Sequence, residues 1–127
     1  INSIHVKTPV EKIKSALLAA LEAYEPPLRH RGTTANRTFE GTIPTMQGRQ
    51  KVDGHYFASI VEKPKDVRLY FFPIYTHVDA FSISKELDKA LKGKSCFHIK
   101  KLSPELESEI AEMIKLGIEL YQKDGII

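Results

Sequence analysis

The sequence contains one cysteine and no apolar run long enough to cross a membrane. A single cysteine excludes a disulfide within the chain, so packing has to stabilise the fold, and a free thiol suits a reducing compartment. A membrane-spanning helix needs about 20 consecutive apolar residues, and residues 1–5 do not begin a signal-type apolar stretch. We therefore expect a cytoplasmic protein with no membrane association.

The sequence also lacks the short motifs of the commonest enzyme classes. It contains no P-loop, no G-x-G-x-x-G, no G-x-S-x-G and no H-E-x-x-H. A helix-turn-helix, an RNP-like motif and a zinc-finger spacing are also absent, and a net charge of +3 is modest for a nucleic-acid-binding domain. These absences favour a binding protein over an enzyme and argue against nucleic acid as the partner.

The composition is that of one globular domain spanning residues 1–127. Of the 127 residues, 42% are apolar and 28% are charged, which is enough apolar material for a hydrophobic core.

Thr8 followed by Pro9 is typical of a helix start, because threonine caps the first turn and proline suits its first position. Pro26-Pro27 predicts the end of that helix.

Two further helix starts follow in the second half of the chain. Ser84 predicts a short helix through Lys92, and Gly93 is a suitable residue to end it. Ser103-Pro104 predicts the start of a long C-terminal helix with an apolar stripe at helical spacing.

The strand signals lie between these helices. His55–Glu62 and Val67–Pro73 are rich in aromatic and β-branched residues and predict a hairpin. Ser95–Lys100 predicts a further strand, and Arg37–Ile43 a short one. We expect an α+β fold, with a mainly antiparallel sheet of about four to five strands on which an N-terminal helix, a short middle helix and a long C-terminal helix pack.

Basic residues are concentrated in residues 26–53, which we interpret as a long polar connection. Between residues 26 and 52 there are five basic residues and one acidic residue, a net charge of +4. Because the whole chain carries +3, the remainder carries −1. The basic side chains in this segment are Arg29, Arg31, Arg37, Arg49 and Lys51.

The four arginines of this segment are candidate ligand-binding residues. Arg29, Arg31, Arg37 and Arg49 are interspersed with hydroxyl and amide side chains. Guanidinium groups bind phosphates and carboxylates through paired hydrogen bonds. This pattern predicts a small anionic ligand held between the sheet and the basic connection. The alternative is a mobile basic loop without a fixed ligand.

Cys96 and His98 form the most conspicuous pair of reactive side chain types. In a strand, residues i and i+2 point to the same face, about 6–7 Å apart. A thiol beside an imidazole can serve nucleophilic catalysis or metal binding. The alternative is a structural strand face, because a free cysteine commonly behaves as a small buried hydrophobe.

Metal ligands have weaker signals. Glu105, Glu109 and Glu112 share one face of the predicted C-terminal helix and are the candidates for a hard cation; the alternative is a solvated helix face. The spacing of the histidines His55, His77 and His98 matches no zinc pattern. The residues alone therefore predict no cofactor.

Two segments resemble the YdhG-like group of bacterial domains of unknown function. Residues 54–73 are similar to that family's aromatic hairpin, and residues 91–99, with the sequence Leu-Lys-Gly-Lys-Ser-Cys-Phe-His-Ile, are similar to the strand that leads to its final helix. The resemblance covers roughly residues 8–127 and implies a YdhG-like α+β fold. Some members are described as frataxin-like intracellular iron chaperones, so the resemblance implies iron as a ligand.

Three functions remain open from the sequence. The preferred one is a small non-enzymatic binding or chaperone-type domain that recognises an anionic ligand. The alternatives are a metal-handling chaperone of frataxin type and a small cysteine-dependent enzyme. A homodimer through an exposed strand edge or the aromatic hairpin is a further expectation.

Overall fold

The computed structural model describes residues 7–127, which form an α+β fold. The predicted fold class is confirmed, with a mainly antiparallel sheet on which an N-terminal and a long C-terminal helix pack. Residues 1–6, on which the absence of a signal stretch was judged, lie outside the described residues. No helix in residues 7–127 combines the length and the apolar character needed to cross a bilayer.

Three of the four helices in the described residues begin where the sequence predicts, and the short helix Pro73–Thr76 was not predicted. The described part of the chain contains α1 (Pro9–Glu22), α2 (Pro73–Thr76), α3 (Lys85–Ala90) and α4 (Pro104–Lys123), with one 3₁₀ turn at Val78–Ala80. The hydroxyl oxygens of Thr8, Ser84 and Ser103 each accept the backbone N–H three residues ahead, at 3.1 Å in each case. These bonds satisfy amides that have no partner within the first helical turn.

The strands form one large sheet and one small one. The strands in residues 7–127 are β1 (Arg29–Gly32), β2 (Asn36–Glu40), β3 (Thr45–Gln47), β4 (Gln50–Val52), β5 (Tyr56–Glu62), β6 (Val67–Phe71), β7 (Leu91–Lys92) and β8 (Cys96–Ile99). Six of them make an antiparallel sheet in the order β1-β2-β5-β6-β8-β7, and β3 pairs with β4 alone. The large sheet is wider than the four to five strands predicted.

Residues 26–53 are not the long connection that the sequence predicts. They form the hairpin β1–β2 at the edge of the large sheet and the separate hairpin β3–β4. All four residues of β1 are exposed, so this strand carries no alternation of apolar and polar side chains to reveal it. The middle helix also ends early, because Leu91 and Lys92 form β7 beside β8 instead of a last helical turn.

Both long helices pack on the same face of the large sheet. A Cβ built on Gly117 of α4 would lie 2.7 Å from Phe71 Cζ and 3.2 Å from Phe57 Cζ, so the helix backbone rests directly on these rings. On α1, Lys14 Nζ lies 2.7 Å from Glu62 Oε1 at the end of β5. The core lies in this layer, and we call the opposite side of the sheet the open face.

A β-bulge at Phe57 decides which side chains reach the open face. Phe39 pairs with Ala58, but the next residue of β2, Glu40, pairs with Tyr56, so Phe57 is an extra residue in β5. Phe57 and Ala58 are consequently both fully buried. Tyr56 turns to the open face, where its hydroxyl donates to Ser59 Oγ at 2.8 Å.

Candidate anion-binding site

Glu40 joins two arginines of β1 on the open face. Arg29 lies opposite Glu40 in the β1–β2 ladder, and it donates from Nε to Glu40 Oε2 at 3.0 Å. Arg31 donates from its Nε to Glu40 Oε1 at 3.0 Å. Each carboxylate oxygen therefore takes one guanidinium, and the two positive charges are held close together.

The charge on Glu40 is maintained by these neighbours. Burial alone would raise the pKa of Glu40, but the hydrogen bonds and positive charges of Arg31 and Arg29 outweigh it. The pKa of Glu40 is therefore lowered from its ordinary value of 4.5. At neutral pH the carboxylate is ionised, and it orders both arginines.

The arginine pair lies on the wall of a cavity of about 500 Å³. The β3–β4 hairpin contributes Gln47 and Lys51 to the same cavity, and Tyr56 lines it from β5. Gln47 Oε1 accepts the backbone N–H of Tyr56 at 3.0 Å, which ties the hairpin to the large sheet. The cavity is therefore built where two hairpins meet.

The charge in the cavity is positive and partly available to a ligand. Arg29, Arg31 and Lys51 contribute three positive charges against the two negative charges of Glu40 and Asp53, which gives a net +1. The side chain of Arg31 is 70% exposed. Because its bond to Glu40 uses Nε, its terminal amino groups can donate to a further acceptor.

The other two arginines of the segment are elsewhere. Arg37 neighbours Thr38 in β2 and therefore points to the helix face, where its Nη1 donates to Glu22 Oε1 of α1 at 3.0 Å. Its side chain is only 15% exposed. Arg49 is exposed in the turn between β3 and β4. The structure thus brings Arg29 and Arg31 together and separates both from Arg37 and Arg49.

Cys96 and His98 lie on the open face, on either side of the buried Phe97. Burial raises the pKa of the Cys96 thiol, although a hydrogen bond from Tyr70 and the charge of Arg68 act in the opposite direction. Within residues 7–127 no hydrogen bond joins Cys96 to His98. This thiol is therefore kept protonated at neutral pH, without the imidazole that would activate it.

The neighbours of His98 are charged side chains of β6 and the turn before it. His98 Nδ1 lies 4.0 Å from Asp66 Oδ2, and Asp66 Oδ1 lies 3.5 Å from Arg68 Nε. The Asp66 side chain is 10% exposed. His98 thus faces a carboxylate instead of the thiol.

The three glutamates of α4 do not form a shared site. Glu109 accepts the backbone N–H and the hydroxyl hydrogen of Ser84, at 2.7 and 2.6 Å. It therefore fixes the start of α3, whereas Glu105 and Glu112 are exposed. Among residues 7–127 no group of three or more His, Cys, Asp or Glu side chains is arranged to hold a metal ion.

The remaining histidines considered as metal ligands have separate partners. His55 is 8% exposed, and its ring lies edge-on to Tyr121 with centroids 5.0 Å apart. His77 Nε2 lies 2.7 Å from Asp124 Oδ2, just beyond the end of α4.

Several residues of the cavity were not predicted from the sequence. Glu40 had one available signal, since it is the single acidic residue among the basic ones between residues 26 and 52. Lys51 was counted among the basic residues of the segment. Gln47 and Tyr56 had no signal, because their convergence with the arginines depends on the β3–β4 hairpin and on the bulge in β5.

A comparison of the chain with protein-family models, curated proteins and solved structures found no match.

Proposed function

We propose that this protein binds a small anion, without enzymatic turnover, in the cavity between the β1–β2 and β3–β4 hairpins. The observation that carries the proposal is the pair Arg29 and Arg31, held by Glu40 on the cavity wall. Arginines that are already ordered lose little side-chain entropy when a ligand binds, so more of the interaction energy contributes to affinity.

The chemistry of the cavity suits a phosphate or carboxylate. Arg31 offers a guanidinium edge, Lys51 adds a point charge, and the amide nitrogen of Gln47 is a neutral donor once its oxygen has accepted from Tyr56. Burial raises the pKa of Tyr56, so its hydroxyl stays protonated at neutral pH.

The proposal of a binding protein also rests on the properties of Cys96, the candidate nucleophile of an enzyme. Cys96 has a raised pKa and Tyr70 as its hydrogen-bond partner, and it is not among the residues of the cavity. The proposal includes membership of the YdhG-like group and a cytoplasmic location, and the resemblance of residues 54–73 and 91–99 supports it.

The experiment measures thermal stabilisation by anions. Unfolding would be followed with inorganic phosphate, acetate, phenyl phosphate and octanoate, each compared with chloride at equal ionic strength. We expect at least one of them to raise the melting temperature, and we expect Arg31→Gln to abolish that increase.

Two control variants test whether the effect belongs to this cavity. Arg37→Gln removes the same charge from the opposite face of the sheet. Lys65→Gln removes a positive charge from a separate depression of about 760 Å³ near the start of α1. Both should keep the stabilisation by the anion. The proposal is wrong if no anion stabilises the protein, or if the increase survives Arg31→Gln.

A further inference from the structure

A second cavity adjoins the anion site along the β3–β4 hairpin. It has a volume of about 390 Å³ and is lined by Pro44, Thr45, Met46, Lys51, Val52 and Asp53. The last three of these residues also line the cavity that contains the arginine pair. The end of β4 and the residue after it are therefore a wall common to both cavities.

The second cavity differs from the first in its chemistry. Pro44, Met46 and Val52 give it apolar surface, and Lys51 at the common wall is its one positively charged side chain. Its volume lies within the range of about 300–1,000 Å³ that is usual for small-molecule sites. It can accommodate a small ring or a short alkyl chain.

Exposed apolar side chains occur at this hairpin and just before it. In the described part of the chain four large hydrophobic residues are exposed, and two of them are Ile43 at 42% and Met46 at 49%. Ile43 immediately precedes the cavity residue Pro44. Exposed apolar groups that lie together commonly mark a binding surface, and methionine adapts its unbranched side chain to ligands of different shape.

We infer that the ligand of the anion site is an amphipathic organic anion. Its phosphate or carboxylate lies against Arg29 and Arg31, and its apolar body occupies the second cavity beside Met46. This inference rests on the proposed function, which requires only that an anion binds. It adds an aryl or alkyl group as the feature that distinguishes the ligand from an inorganic ion.

The test compares matched pairs of anions in calorimetric titrations of the whole chain. Phenyl phosphate is compared with inorganic phosphate, and octanoate with acetate. Burying the apolar part of each larger anion should lower its dissociation constant about tenfold or more relative to its small partner. Octanol, which has the chain without the charge, should bind more weakly than octanoate because it gains nothing from the arginines.

Variants then separate the two cavities. Met46→Ser should weaken the binding of phenyl phosphate about tenfold and change the binding of inorganic phosphate by no more than about twofold. The reason is that the methionine contacts only the apolar body of the ligand. Val78 is another exposed apolar residue, at 67% exposure, and it lies outside both cavities. Val78→Ser should alter the binding of neither phosphate. Arg31→Gln should weaken the binding of all of the anions.

The outcomes distinguish this inference from the proposed function. If inorganic phosphate binds as tightly as phenyl phosphate and Met46→Ser has no effect, the inference is wrong and the anion site stands. If none of the anions binds, both are wrong.

Discussion

Arg31 and Arg37 belong to the two strands of one hairpin and project from opposite faces of the sheet. Arg31 pairs in register with Thr38 on the open face, so Arg37, the neighbour of Thr38, faces α1. The two residues have the same charge and similar positions in the sequence. Their surroundings differ, and this difference leads to the first prediction.

Arg37→Gln should lower the free energy of unfolding more than Arg31→Gln. The Arg37 side chain is 15% exposed and pairs with Glu22, and we expect its loss to cost about 1–2 kcal/mol. Arg31 is 70% exposed, and we expect its loss to cost no more than about 0.5 kcal/mol. Urea denaturation without anions measures both; equal losses would contradict the assignment of faces.

The stability that Glu40 provides should depend on pH in one direction. Its pKa in the folded protein lies below 4.5, so the unfolded chain takes up a proton first as the pH falls. The contribution of Glu40 to the free energy of unfolding is complete above about pH 4.5. It is lost as the pH falls through the folded-state pKa. The difference in unfolding free energy between the parent protein and Glu40→Gln should therefore be largest at neutral pH and shrink in acid. A difference that grows in acid would show that the arginines do not hold this carboxylate in its ionised form.

Gly117→Ala should destabilise the protein although alanine is the better helix former. In an exposed helix the exchange of glycine for alanine stabilises the helix by about 1 kcal/mol. Here the added Cβ would lie 2.7 Å from Phe71 Cζ and 3.0 Å from Pro73 Cγ, and relieving such overlap in a packed core costs about 1–3 kcal/mol. Chemical denaturation decides between the two effects.

A control for the Gly117 variant is available in the same helix. Ala111 of α4 is exposed, so Ala111→Gly should lose about 1 kcal/mol through helix propensity alone. A stabilised Gly117→Ala protein would mean that α4 does not approach the sheet as closely as described.

Cys96 should react slowly with thiol reagents in the folded protein. Burial raises its pKa above the ordinary value of 9.0, which lowers the thiolate fraction at neutral pH, and the thiolate is the reactive form. We expect native protein to be labelled much more slowly than protein unfolded in urea at the same pH. Labelling of the native protein at the unfolded rate would restore the cysteine-dependent enzyme as a hypothesis.

The helices α1 and α4 were predictable because their signals are local. A serine or threonine cap followed by proline, and an apolar stripe at helical spacing, identify each start without knowledge of the rest of the fold. The hairpin β5–β6 was predictable for a similar reason, since both strands are rich in aromatic and β-branched residues. The strands β1, β3 and β4 were not predictable, because they are short, mostly polar and largely exposed.

The site was only partly predictable. The excess of arginine in residues 26–53 pointed to the segment that forms the candidate cavity. Which arginines converge depends on the alternation of faces in β1 and β2, and this cannot be assigned in a segment interpreted as a loop. Tyr56 illustrates the same limit, because alternation along β5 would place it with Ala58, and the bulge at Phe57 places it with Ser59 instead.

All residues that line the proposed anion site come from one continuous stretch, from Arg29 to Tyr56. The core beneath it depends instead on α1, α4 and the central strands, which are far apart in the sequence. The proposed site and most of the hydrophobic core are therefore encoded in separate parts of the chain. Mutation can alter the lining of this cavity within a short block of sequence, while most of the helix–sheet core, apart from residues such as Phe39, stays unchanged.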